Sequence, residues 1–180
     1  MLWHPRAGTV VNSQQDDTQC WASLLPNGNP DARSDLAAEF LIGERAWDGS
    51  AQVPGSAPVV VRYGLPDGRI RTELTITQDT VTRSVQGTSA LTEQIPLVLR
   101  PDDRVAFADG TPVSYNANAA ATATGLTIRR GGTTIAISWG SPLAATVTAT
   151  TVTFLRDAAR RLHVLRIPHG GTLTTSIRLR

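Results

Sequence analysis

Between residues 57 and 180 the chain repeats one pattern: short segments in which apolar side chains alternate with Thr, Ser or Arg at period two. Ile70, Leu74 and Ile76 share one parity, while Arg71, Glu73, Thr75 and Thr77 occupy the other. Gln78-Asp79 interrupts the run, and Val81, Arg83 and Val85 resume it. Successive side chains of a strand point to opposite faces, so this alternation puts one face in a core and leaves the other in water. A helix would scatter the same residues around its circumference. The ladder therefore predicts an all-β fold, an antiparallel β-sandwich with little or no helix.

The turn residues divide the ladder. Val59, Val61 and Tyr63 precede Leu65-Pro66-Asp67-Gly68, whose Asp-Gly pair tolerates the positive φ of a tight turn. Strands are expected over residues 91–100, ended by Pro101-Asp102-Asp103, and over 104–108. A hairpin is expected over 126–139 around Arg130-Gly131-Gly132-Thr133, with further strands over 145–156, 161–167 and 172–180. The small residues of 117–125 suit an edge strand or a loop. Residues 36–46 alternate as a strand does, although Ser34 or Asp35 could cap a short helix. At 180 residues the chain is expected to form one domain, with residues 1–56 an irregular, Trp-bearing segment packed on the ladder.

Charge narrows the choice of partner. The 17 basic residues are all Arg and face 15 acidic ones, for a net charge of +2. Their densest groups, Arg129-Arg130 and Arg160-Arg161, lack the interleaved aromatics of a nucleic-acid groove, so no nucleic-acid partner is expected. A single cysteine, Cys20, rules out an intrachain disulfide and an all-cysteine metal site. No signal peptide is recognised and no run is long enough for a helical membrane span, so no membrane partner is expected and the compartment stays undetermined. If the chain belongs to a larger exported protein, that protein is secreted or periplasmic.

Few residues carry distinctive chemistry. No Gly-x-Ser-x-Gly elbow or phosphate-cradling glycine loop occurs, and no cofactor is expected. The pairs Asp16-Asp17 and Asp102-Asp103 read as turn residues rather than calcium ligands, and no metal is expected. Glu93 shares parity with Leu91, Ile95, Leu97 and Leu99, which aims its carboxylate at the core unless Pro96 introduces a bulge. Such a carboxylate is either a site group or one half of an ion pair with Arg. Glu93, His163 and His169 are the candidate acid-base groups. Trp3, His4, Arg6, Trp21 and Trp47 form the candidate carbohydrate-binding set, because indole packs on the C–H faces of sugar rings. Asn12, Gln14, Gln15, Asp16 and Asp17 lie nearby in sequence to bind hydroxyls. Large aromatics also fill small cores, and the two readings stand side by side.

The run Leu2-Trp3-His4-Pro5-Arg6-Ala7-Gly8-Thr9-Val10-Val11, followed by strands such as Leu74-Thr75-Ile76-Thr77 and Val81-Thr82-Arg83-Ser84-Val85, resembles the C-terminal β-sandwich of the heparinase II/III-like bacterial polysaccharide lyases. In that family an α-helical toroid supplies most of the substrate cleft and the sandwich follows it. The resemblance implies a non-catalytic carbohydrate-associated module of a larger polysaccharide-degrading protein. Its implied partners are an oligo- or polysaccharide and the catalytic domain of the parent chain. The alternatives are a small enzyme using His and Glu, or a protein-binding module presenting Thr174, Ser176, Arg178 and Arg180.

Overall fold

The computed structural model describes residues 2–12, 20–28, 37–42, 45–46, 58–65, 67–154 and 157–180, with 37–42 and 45–46 described as backbone only. The described residues form fifteen strands and no helix. The first five are β1 (Leu2–His4), β2 (Gly8–Val11), β3 (Ala22–Leu24), β4 (Ala37–Ile42) and β5 (Arg45–Ala46). Five more follow: β6 (Val59–Gly64), β7 (Ile70–Ile76), β8 (Thr80–Gly87), β9 (Leu91–Leu99) and β10 (Arg104–Phe107). The last are β11 (Pro112–Val113), β12 (Ala119–Arg130), β13 (Thr133–Phe154), β14 (Asp157–His169) and β15 (Thr172–Leu179). Every pairing is antiparallel.

All fifteen strands belong to one hydrogen-bonded sheet. It is bent along the long hairpin of β12 and β13. The first part of β13 pairs with β15, and β8, β7, β6, β4 and β5 continue that arm. The second part pairs with β14, and β9, β2 and β1 continue the other arm, with β3 also on β9. The main apolar cluster draws on both arms: Ile95, Leu97, Leu165 and Ile167 from one, Leu173, Ile177 and Leu179 from the other. Ile135 and Ile137 of the shared hairpin complete its middle.

The bend explains one departure from the expected strands. The hairpin at 126–139 and the strand at 145–156 are parts of a single 22-residue strand, β13. Between the pairs Ala123↔Leu143 and Gly125↔Ser138, the lone residue Thr124 faces Trp139, Gly140, Ser141 and Pro142. Such a bulge turns a sheet corner without ending the strand. Trp139 is buried in the core, and its indole Nε1 donates to the Ala123 carbonyl at 2.7 Å. The bulge is thus pinned rather than loose. The 117–125 stretch supplies the first part of β12, and residues 37–42 and 45–46 are strands.

Two chain crossings join the arms at one end, β8 to β9 and β14 to β15. They touch backbone to backbone, the Gly87 N–H donating to the Gly171 carbonyl at 2.7 Å. Gly171 has φ 106°, and a Cβ there would lie 2.6 Å from the Gly87 oxygen. Only glycine meets both conditions. Gly171→Ala is expected to lower unfolding stability by about 2 kcal/mol or more. Gly132→Ala, where a Cβ meets nothing within 4 Å, is expected to stay within about 0.5 kcal/mol of wild type. Urea denaturation of the two variants measures both.

Candidate functional site

Glu93 is the third residue of β9, with its side chain on the core face. Pro96 does not disturb this, because the β9–β14 register runs without a shift from Leu91↔His169 to Leu99↔Arg161. Pro96 falls between the residues of β9 paired with β3 (92–94) and the one paired with β2 (97), where its missing N–H is tolerated. The parity argument for Glu93 holds, and the carboxylate is fully buried.

Its charge is met from the opposite arm. Arg83 of β8, 1% exposed, extends across the core, and its Nη1 donates to Glu93 Oε2. The same oxygen accepts from Ser23 Oγ at 3.0 Å, and Oε1 accepts from the Trp21 indole Nε1 at 3.0 Å. Arg83 Nη1 also donates to Ser23 Oγ at 3.0 Å, and its Nε donates to the Tyr63 hydroxyl at 3.1 Å. The guanidinium carbon lies 6.0 Å from the centre of the Tyr63 ring. Two buried charges are tolerated when they are paired and their remaining polar valences are filled, which this network achieves.

His169 stands beside this network. It pairs with Leu91 as Glu93 pairs with Ile167, which makes His169 and Glu93 diagonal neighbours on one sheet face. The residue is 7% exposed, and neither ring nitrogen has a hydrogen-bond partner among the described residues. The Thr172 backbone is close enough to favour the protonated ring but does not reach bonding geometry. Burial, reinforced by the Arg83 charge, outweighs it and holds the imidazole pKa below its ordinary value.

The other candidates lie elsewhere. His163 pairs with Leu97, six residues along β14 from His169, or roughly 20 Å. It is fully buried, with Nε2 bonded to the Tyr115 carbonyl and Nδ1 3.4 Å from the Arg161 carbonyl. Burial lowers its pKa more than these carbonyls raise it. Trp3, on β1, is 58% exposed. His4 Nδ1 accepts from the Arg6 amide at 3.2 Å, and its Nε2 lies 4.0 Å from Asp79. Trp47, Gln14, Gln15, Asp16 and Asp17 fall outside the described residues. The aromatic set is therefore split: Trp21 is tied to Glu93, while Trp3 faces outward.

Asp103 has a structural partner. Arg130 donates from Nε and Nη2 to its carboxylate at 2.9 and 2.7 Å, and from Nη1 and Nη2 to the carbonyls of Ala7, Thr9 and Val98. Among the described residues, no three His, Cys, Asp or Glu gather as metal ligands. Of the Arg pairs noted in the sequence, Arg130 makes these buried contacts, Arg160 pairs with Asp157 and Arg161 with Asn116 nearer the surface, and Arg129 is exposed.

Sequence reasoning missed Arg83, Ser23 and Tyr63. For Arg83 the signal was present, since it shares parity with Val81 and Val85 as Glu93 does with its apolar neighbours. Ser23 and Tyr63 carry no such mark. No protein-family model matches the chain, and a search among characterised proteins returns no match.

Glu93→Leu removes the counter-charge of a buried guanidinium and is expected to lower stability by about 3–5 kcal/mol. The double change Arg83→Met with Glu93→Leu is expected to recover most of it, as measured by chemical denaturation of all three chains. A second expectation concerns pH. His163 and His169 have folded-state pKa values below 6.5, so on acidification the unfolded chain binds protons first. The stability gained by keeping the rings neutral is complete above about pH 6.5 and declines as pH falls through the folded-state values. Replacing the unpartnered ring, His169→Leu, is expected to flatten part of this slope without loss of stability at about pH 8. Denaturation midpoints across that range test it.

Proposed function

We propose that the chain is a non-catalytic, carbohydrate-associated module of a larger polysaccharide-degrading protein, of the kind that accompanies the helical toroid in heparinase II/III-like lyases. The observation that carries this reading is Trp3, the exposed large hydrophobic side chain among the described residues, on the outermost strand of its arm. An indole held outward on a strand offers a flat apolar face to a sugar ring. His4 and Arg6 adjoin it in sequence and contribute polar groups.

The buried charges support a non-catalytic role. Both Glu93 oxygens accept hydrogen bonds inside the core, and His163 lies in the middle of β14, six residues from His169. A general acid or base must reach a substrate proton, which these positions do not favour. The polar face of β15 is compatible with a protein partner but carries no feature specific to one.

Affinity electrophoresis against a panel of polysaccharides tests the proposal. Wild type is expected to be retarded by at least one, and Trp3→Ala to weaken that binding about tenfold. Trp3 is exposed, so its removal should leave the denaturation curve nearly unchanged. Absence of retardation by every polysaccharide, or retardation indifferent to Trp3→Ala, defeats the reading.

A further inference from the structure

At the end of the molecule where the chain crosses between arms, a pocket of about 300 Å³ is lined by Leu25, Pro26, Asn27, Arg69, Ile70 and Ser89. We infer that this pocket is a binding site for one neutral pyranose residue. The inference rests on the carbohydrate reading above but places a ligand at a site independent of Trp3.

The floor is apolar. Ile70 is buried in a cluster with Leu65, Val85 and Leu91, and Leu25 packs against that cluster. Above the buried Ile70, half-buried Leu25 and exposed Pro26 offer the apolar surface that suits the C–H face of a sugar. The volume lies at the small end of ligand pockets, which suits a single ring rather than a chain of them.

Polar groups crowd the rim. Asp67 holds Arg69 at two points: its Oδ1 accepts the Arg69 amide at 3.0 Å, and its Oδ2 accepts Nε at 2.5 Å. The guanidinium is thereby oriented, while its Nη1 and Nη2 groups make no hydrogen bond among the described residues. They can donate to vicinal hydroxyls, with the Ser89 hydroxyl and the Asn27 amide also at the rim. Asp67 also fixes the ligand's charge. It cancels the Arg69 cation locally, and the carboxylate stays ionised because the Arg69 backbone N–H and guanidinium lower its pKa. A charge-balanced rim over an apolar floor favours an uncharged polyol over a carboxylated one.

Backbone NMR titration with methyl glucoside, methyl galactoside and methyl glucuronide tests the site on the whole chain. Saturable shifts are expected at the Arg69, Ile70 and Ser89 amides with at least one neutral glycoside. The dissociation constant should be unchanged in Trp3→Ala, raised about tenfold in Arg69→Met, and unmeasurable in Ser89→Phe, which fills the pocket from an exposed position. Asp67→Asn should shift the preference towards methyl glucuronide by uncovering the Arg69 charge. Silence of these amides with every glycoside, or shifts that survive Ser89→Phe, overturns the inference. If Trp3-dependent polysaccharide binding persists in that case, the carbohydrate reading stands without this pocket. Tighter binding of methyl glucuronide than of either neutral glycoside by wild type overturns the neutral assignment.

Discussion

One side-chain contact, the ion pair of Arg83 with Glu93, links the two arms of the bent sheet across its core. Both residues lie two strands from the shared strand β13, Arg83 by way of β15 and Glu93 by way of β14. Backbone hydrogen bonds run from β9 through β14, β13 and β15 to β8, and the ion pair completes the circuit. A barrel closes such an arc with a further strand pairing. Here a guanidinium and a carboxylate close it across the core, and Ser23, Trp21 and Tyr63 fill the hydrogen-bonding positions that backbone groups would otherwise occupy.

Arginine suits this task in a way that lysine does not. Its planar fork presents five N–H groups and keeps its charge when buried. Arg130 uses Nε, Nη1 and Nη2 together to hold Asp103 and three carbonyls of β2, β9 and the turn before β2. In a chain whose basic residues are all Arg, two of the most buried are thus internal ties. Part of the Arg content is spent inside the fold, although most of the described Arg side chains remain at the surface.

Much of the architecture was legible because period-two alternation is a local property. The strands over 70–85, 91–99 and 172–179 can be read directly from parity, and so can the inward orientation of Glu93. The long β13 could not, since Ser141-Pro142 looks like a terminator and only the tertiary burial of Trp139 makes the bulge worth forming. The site was harder. Trp21 and Glu93 are 72 residues apart, and nothing in either segment marks the other as its partner. Trp3 and Trp21 read as one aromatic group because sequence proximity was the available guide, whereas the fold gives one to the core and one to solvent.

The ion pair has a further consequence in the order of events during folding. Although it joins opposite arms, Arg83 and Glu93 are only 10 residues apart. A loop of that length closes on the order of 10–100 ns, whereas the strand pairings that finish the arms span far longer separations and close against a larger entropy. Val81↔Ile177 and Ile95↔Leu165 bring together segments distant along the chain. The contact between the arms is therefore topologically cheaper than the arms themselves. A chain that has made it has already chosen which faces of β8 and β9 look at each other, before β14 and β15 arrive to pair with them.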